Sequence, residues 1–315
     1  MHTVNKNDTR NTQHTIYTEK NIMSNTFASL KRDRADALNK LTQELSKQNQ
    51  NQANTNSGAD TRFWKPTVDK AGNGQAIIRF LPAPVNEDVP FIRIWDHGFQ
   101  GPGGWYIEKS LTTLGEKDPV SELNTRLWNS GIDADKEQVR KQKRRLHYIS
   151  NIYVVKDQAN PDNEGKVFLF QYGKKIFDKL TDAMNPEFEG EEKINAFDFW
   201  EGANFRLRIR QVDGYRNYDK SDFDNKRPLA SDDEMEAIWK KQHSLSEFLD
   251  RKNFKTYDEL KARLDKALGL TNQASQPRTQ RATDVSPPWD EAPAQQASSD
   301  EDEDMSFFKK LASDD

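Results

Sequence analysis

Within Asn204-Phe-Arg-Leu-Arg-Ile-Arg-Gln-Val212 the residues alternate from 205 to 210, with Phe205, Leu207 and Ile209 on one side and Arg206, Arg208 and Arg210 on the other. A period of two marks a half-buried strand, because successive side chains leave opposite faces of a pleated backbone. The stretch predicts one apolar face and one row of guanidiniums. Shorter strand signals surround it. Residues 75–81 (QAIIRFL) enter through the Asn73-Gly74 turn, and residues 91–96 read FIRIWD. Tyr148–Val155 and Lys166–Tyr172 form a further pair across a loop containing Pro161 and Gly165. Residues 174–184 suit a helix with Ile176, Phe177 and Leu180 on its apolar side. After Ser231 the pattern turns helical, and Tyr257, Leu260, Leu264 and Leu268 form an amphipathic stretch stopped by Gly269 in the C′ position. Short strands, a central helix and peripheral helices predict a mainly β fold, a small partly open β-barrel with insertions, rather than a parallel α/β sheet.

Outward from this core the composition changes. Residues 1–22 are polar, rich in Asn and Thr, and end at a second methionine, Met23. They lack the apolar centre of a secretory signal and read as a disordered extension or as sequence upstream of the true start. Residues 23–48 predict a basic helical arm. Leu38, Leu41 and Leu45 share a face, Phe27 and Leu30 precede them, and Lys31, Arg32 and Arg34 lie in its first half. Residues 49–61 are a polar Gln/Asn linker, residues 62–269 the compact part, and residues 270–315 a tail expected to be disordered. Only 34% of the chain is hydrophobic and 31% is charged, so the folded part is much shorter than the chain. No apolar run approaches the roughly 18 residues of a membrane span. With no cysteine, disulfides and thiolate metal sites are excluded.

Charge is divided unevenly. From Asp284 onward there are ten carboxylates, including Asp300, Glu301, Asp302, Glu303 and Asp304 in a row, against two lysines, a net −8. The whole chain is −4, so everything before that segment is +4 by subtraction. The tail also carries Met305, Phe307, Phe308 and Leu311 beside the acids. In the body, cations cluster with aromatic residues. Arg140-Lys141-Gln142-Lys143-Arg144-Arg145 precedes His147 and Tyr148, and Lys174, Lys175 and Lys179 follow Phe168, Phe170 and Tyr172. Arg206, Arg208 and Arg210 lead into Tyr215, Arg216 and Tyr218. Cations neutralise phosphates and exposed rings stack on unpaired bases, each stacked base being worth roughly 1–3 kcal/mol with little demand on sequence. The mixture favours single strands, whose base faces are open. Catalytic signatures are weak: there is no P-loop, no His-Glu-x-x-His and no nucleophile elbow. The acid pairs Glu191-Glu192 and Asp232-Asp233 read as solvated loop acids, with a metal-dependent nuclease as the competing reading. A single-stranded RNA-binding or translational regulatory protein would share every surface feature, although no residue identifiably reads a 2′-hydroxyl.

Several segments, in order, resemble the T4-type bacteriophage single-stranded DNA-binding proteins, the helix-destabilising family. They are residues 69–82 (DKAGNGQAIIRFLP), 96–99 (DHGF), 105–108 (WYIE), 151–157 (NIYVVKD), 163–168 (NEGKVF), 173–179 (GKKIFDK), 200–205 (WEGANF) and 211–219 (QVDGYRNYD). The resemblance implies an OB-fold core with a groove for single-stranded DNA and a basic arm for cooperative contacts, here Lys31, Arg32 and Arg34. It also implies an acidic tail that guards the groove and binds phage replication and recombination proteins, here Asp300–Asp304 with Phe307 and Phe308. Work in DNA replication, recombination and repair, in the cytoplasm of the infected host and without catalysis, is implied too. The family's groove residues carry over to Arg144, Tyr148, Tyr215 and Tyr218, with Lys143 and Arg145 in the same basic segment. Lys174, Lys175, Arg206, Arg208 and Arg210 are added on charge alone.

Two departures stand out. The family's zinc is held by one His and three Cys, whereas here His97 is accompanied by Ser110, Asp118 and Ser121. Serine is a poor zinc ligand at neutral pH, so no zinc is expected. The loop at 109–139 is then expected to be held by packing of Leu111, Leu114, Leu123, Leu127 and Trp128. The family's basic element followed by hydroxyl residues reads Ser29-Leu-Lys-Arg-Asp-Arg34 in the arm and Lys143-Arg-Arg-Leu-His147 in the core, without the Ser/Thr pair.

Overall fold

The computed structural model describes residues 27, 31, 60–188 and 190–270. Among them the backbone forms nine strands in an open sheet with helices laid against it. The strands are β1 (Phe63–Trp64), β2 (Gly74–Phe80), β3 (Phe91–Gly101), β4 (Gly104–Lys109) and β5 (Arg145–Lys156), then β6 (Val167–Tyr172), β7 (Phe205–Val212), β8 (Tyr215–Asn217) and β9 (Asp222–Phe223). The helices are α1 (Pro119–Asn129), α2 (Asp133–Gln142), α3 (Lys174–Met184), α4 (Asp232–Lys240) and α5 (Tyr257–Ala267). The hydrogen-bonded order is β1-β6-β5-β2-β7-β8, with β3 joined to β5 and β4, and β9 to β7.

The long strand β5 organises this arrangement. Along one edge its first half pairs with β3, from Asp96↔Arg145 to Phe91↔Ser150, and its second half with β2, from Phe80↔Ile152 to Ile77↔Lys156. The other edge carries β6, from Tyr148↔Tyr172 to Tyr153↔Val167. Twelve residues at about 3.3 Å each make a strand long enough to serve two partners end to end. Alternation along β5 sends Tyr148, Ile152 and Val154 to the face covered by α3, where they pack with Phe80, Phe91, Tyr172, Phe205, Leu207 and Ile209. Ile149 leaves the opposite face and packs with Ile92, Ile94, Leu169, Leu245 and Phe248. A separate cluster under the β3–β4 hairpin joins Phe99 and Tyr106 to Leu111, Leu114, Val120, Leu260 and Leu264.

Helix α3 covers the residues its periodicity marks, and α5 ends in the C′ glycine that the sequence suggests. Gly269 has φ +73°, its N–H donates to Lys266 O, and Leu270 N–H donates to Asp265 O, a Schellman closure. The stretch 109–139 departs from the expectation of a loop. It holds a 3-10 turn at Leu111–Leu114 and the helices α1 and α2. The local cause is Asp118-Pro119: the carboxylate accepts the N–H groups of Val120 and Ser121, and Pro119 takes a first-turn position that needs no donor. Leu111 and Leu114 are buried as expected, whereas Leu123, Leu127 and Trp128 are only partly covered.

Arg79 of β2 is fully buried. Its Nη2 donates to the carbonyls of Asp198 (2.8 Å), Phe199 (3.3 Å) and Arg227 (3.0 Å). Burial pulls its pKa down to about 10, with Asp198 opposing the shift. A Cβ on Gly202 would sit 2.9 Å from that same nitrogen and 2.3 Å from Asp198 O, so the loop closes on the guanidinium only with glycine there. Arg79→Ala leaves three carbonyls without this donor. It is expected to destabilise the fold by about 3 kcal/mol and to lower Tm by roughly 6–12 °C in thermal unfolding. An unchanged Tm would remove Arg79 from this role.

Candidate nucleic-acid interface

Cross-strand register decides which of the proposed residues meet. Trp95↔Leu146, Arg93↔Tyr148 and Phe91↔Ser150 are direct pairs between β3 and β5. Directly opposed side chains share a face, so Arg93 and Trp95 flank Leu146 and Tyr148 on the side covered by α3. Arg144 precedes β5 in the same alternation. Its guanidinium lies 3.9 Å from the Trp95 ring centre, and Nη1 donates to Thr112 Oγ1 at 3.0 Å. Four residues on, about 13 Å along the strand, Tyr148 stacks on Phe177 of α3 with centroids 3.8 Å apart and planes 8° apart. Tyr172 lies parallel at 5.7 Å. Lys174 and Lys175 stand in the first turn of α3, where the helix dipole adds positive potential. Lys174 is ion-paired with Asp178, and Lys175 is exposed. Lys179 reaches Asp219 O at 3.1 Å and ties α3 to the segment carrying Tyr218.

The tyrosines divide. Tyr215 is 38% exposed beside the Asp213-Gly214 turn, whose two positive φ angles (53° and 85°) suit a tight two-residue hairpin. Tyr148 and Tyr218 are only 4% and 7% exposed and belong to the core cluster, which corrects the expectation of open rings at those two positions. Period-two logic explains Tyr148: it faces inward with Ile152 and Val154.

The basic run 140–145 also divides. Arg140 and Lys141 lie on α2 beside Glu137. Lys143 caps that helix and Arg144 covers Trp95. Arg145 turns to the other face, where it crosses Gly98 and pairs with Asp96 at 2.7 Å. His147 Nε2 lies 2.7 Å from the other Asp96 oxygen. Burial pushes the Asp96 carboxyl up, yet His147 and Arg145 more than offset it and hold the pKa below the usual range.

The arginine row of β7 exists, but not as a row of available charges. Arg206 is paired with Asp222 (2.7 Å) and Asp224 (2.8 Å). Arg208 contacts Asp222 at 3.3 Å and donates to Lys220 O at 2.9 Å. Since Phe205, Leu207 and Ile209 fill the α3 side, these guanidiniums emerge on the opposite face from Tyr148. There Arg208, Arg210 and Lys220, with Asp69, Asn73 and Gln75, line a shallow groove of about 630 Å³. Thus Arg144, Tyr148 and Tyr218 share one face, and Arg206 and Arg208 belong to another.

Reasoning from sequence missed Arg93 and Trp95. Both lie in FIRIWD, where alternation with the apolar Ile92 and Ile94 was the signal that could have found them. Lys31 is helical and paired with Asp232, while Arg32, Arg34, Asp300–Asp304, Phe307 and Phe308 lie outside the described residues.

The four positions at which the family holds zinc converge, but their chemistry does not fit the ion. His97 Nδ1 lies 2.9 Å from Gln142 O, and its Nε2 lies 3.4 Å from Asp118 Oδ1. Asp118 accepts three backbone N–H groups, from Leu111 (3.0 Å), Val120 (3.0 Å) and Ser121 (3.1 Å). Burial raises its pKa, and His97 together with the Ser121 and Leu111 N–H groups more than reverses that. Ser110 Oγ is engaged by Thr112 N and Thr112 Oγ1. Two neutral hydroxyls and a carboxylate that already accepts three N–H groups do not make a closed tetrahedral site.

The family model described as gp32 DNA binding protein like matches residues 72–268. The single-stranded DNA-binding proteins of Enterobacteria phages T2 and T4 are each 40% identical over 219 residues, covering 68% of this chain and 72% of theirs. The single-stranded DNA-binding protein of Enterobacteria phage RB70 is 39% identical over 94 residues, which is 29% of this chain and 79% of that one.

If hydrogen bonds hold the 97–121 region without metal, elemental analysis of the purified full chain finds far less than one zinc per molecule, and EDTA leaves Tm unchanged. Combined Ser110→Cys, Asp118→Cys and Ser121→Cys substitution, beside His97, is expected to create a site for about one zinc. Stoichiometric zinc in the unsubstituted chain would refute this.

Proposed function

The chain belongs to the T4-type phage single-stranded DNA-binding protein family, and from that membership we propose that it binds unpaired DNA with little regard for sequence. In this reading it coats and protects single strands during phage DNA replication, recombination and repair in the infected bacterium, and performs no catalysis itself. The open sheet serves as an OB-fold-like platform. The observation that carries the reading is the Arg144 guanidinium laid on Trp95, next to the Tyr148–Phe177 stack and on the same sheet face. Such a pair offers a phosphate a cation and a base a flat partner at one point. Lys143, Lys174, Lys175 and Tyr215 extend this surface. Tyr148 and Tyr218 form its packed wall, fixing the direction in which Arg144 and α3 present their charges. Arg208 and Arg210, in the groove on the other face, serve as a secondary phosphate contact. Arg145 and Arg206 contribute less, because carboxylates hold them.

The tail completes the proposal. A segment of net −8 competes with phosphate for the cationic face, while Asp300–Asp304 and Phe307–Phe308 offer acid and aromatic anchors to replication and recombination proteins.

Titration of intrinsic tryptophan fluorescence with oligo-dT at several salt concentrations tests the interface. Each phosphate neutralised adds about −0.7 to the slope of log affinity against log salt. Arg144→Ala is expected to weaken binding about tenfold and to make that slope shallower by about 0.7, whereas Arg206→Ala changes affinity less than about twofold. Equal affinity for single strand and duplex would overturn the reading, and a strong preference for matched RNA would redirect it.

Removing residues 284–315 is expected to tighten oligo-dT binding at low salt, with the gain fading as salt screens the tail. Unchanged affinity at low salt would dismiss the competing role of the tail.

A further inference from the structure

Both faces of the sheet carry cations, and one short segment joins them. Residues 218–221 run along the outer edge of β7, between β8 and β9. On one side Lys179 of α3 donates to Asp219 O at 3.1 Å. On the other, Ser221 Oγ accepts the Arg208 N–H at 2.9 Å and donates to Arg208 O at 3.1 Å. Lys220 stands between these two anchors and lines the groove that holds Arg208 and Arg210. Positive charge therefore passes from α3 to the opposite face in the step from Asp219 to Lys220, around the edge where the hydrogen-bonded order ends.

The groove is equipped for phosphate. Among the described residues Arg210 and Lys220 enter no ion pair and no side-chain hydrogen bond, whereas Arg206 is held by two carboxylates. Arg208 keeps Lys220 O and Asp222 as partners. Asp69, the carboxylate in the lining, already accepts the N–H groups of Ala71 at 2.8 Å and Asn73 at 2.9 Å. Register adds an aromatic ring. Val212 follows Arg208 and Arg210 in the alternation of β7 and pairs directly with Tyr215. Opposed side chains share a face, so the exposed Tyr215 ring continues the first surface onto the groove's side of the edge.

We infer that a single strand follows this route, leaving the α3 face past Lys179, turning over the edge at Tyr215 and Lys220, and ending in the Arg208–Arg210 groove. The groove is then the far end of one track rather than a separate site. The turn also selects the ligand. Duplex DNA has a persistence length of about 150 base pairs and does not bend around one sheet edge, whereas an unpaired strand does. Arg210 and Lys220 are thus specificity-determining residues, because they add affinity only for a strand that has made the turn. The path presupposes the proposed single-strand binding and adds where the strand goes.

The full chain is titrated with oligo-dT of about 5 and about 16 nucleotides, near the extremes that one fold of this kind occupies. Combined Arg210→Ala and Lys220→Ala substitution is expected to leave affinity for the short oligonucleotide within about twofold. Affinity for the long one should fall at least about tenfold, with the slope of log affinity against log salt shallower by about 1.4 for two lost phosphate contacts. Binding to a duplex of the longer length should not change. Both side chains are exposed and unpaired among the described residues, so the variant should keep its Tm. Lys220→Glu alone should reproduce the length-dependent loss. Equal losses at both lengths, or none at either, would overturn the wrapped path while leaving single-strand binding in place. Two long oligonucleotides per chain at saturation would also overturn it, since the groove would then hold a strand of its own. No binding of either length by the unsubstituted chain would refute the single-strand reading and the path together.

Discussion

Strict alternation along β5 is the constraint on which the rest depends. One strand borders β3, β2 and β6, so a single register fixes three interfaces at once. It sends Tyr148, Ile152 and Val154 beneath α3 and Ile149 to the opposite face. A slip of one residue would exchange those sets and bury Arg145 and His147 beneath α3, a cost that packing could not offset. The same alternation sorts the basic segment. Arg144 and Arg145 are neighbours in sequence, yet one covers Trp95 and the other pairs with Asp96 on the far side.

Charge that looks uniform in sequence is thus graded in the fold. Guanidiniums that meet carboxylates at 2.7–2.8 Å, as Arg145 and Arg206 do, hold structure together. Arg144 lies over the Trp95 ring and donates to Thr112 Oγ1. Hydrogen bonds gather the backbone around Asp118. The carboxylate that caps α1 also gathers Leu111 and faces His97, drawing the 3-10 turn, α1 and β3 together.

Phe27 adds a different kind of interaction. Its ring, remote in sequence from its neighbours, packs among Phe199, Trp200, Met235 and Trp239.

The amino-acid sequence by itself determined the mainly β character, the span of α3, the glycine stop of α5 and the division between basic body and acidic tail. Each is a local matter of periodicity, turn chemistry or summed charge. It also shows Ser110, Asp118 and Ser121, and no thiol, at those positions. The helices of 109–139 were partly legible at Asp118-Pro119, but their weakly apolar composition hid them. Tertiary structure alone decided which cations find carboxylates, which tyrosines are buried and where Phe27 docks. Those outcomes depend on register between strands and on contacts across more than a hundred residues, and no periodicity within a single segment encodes which distant partner a side chain will meet.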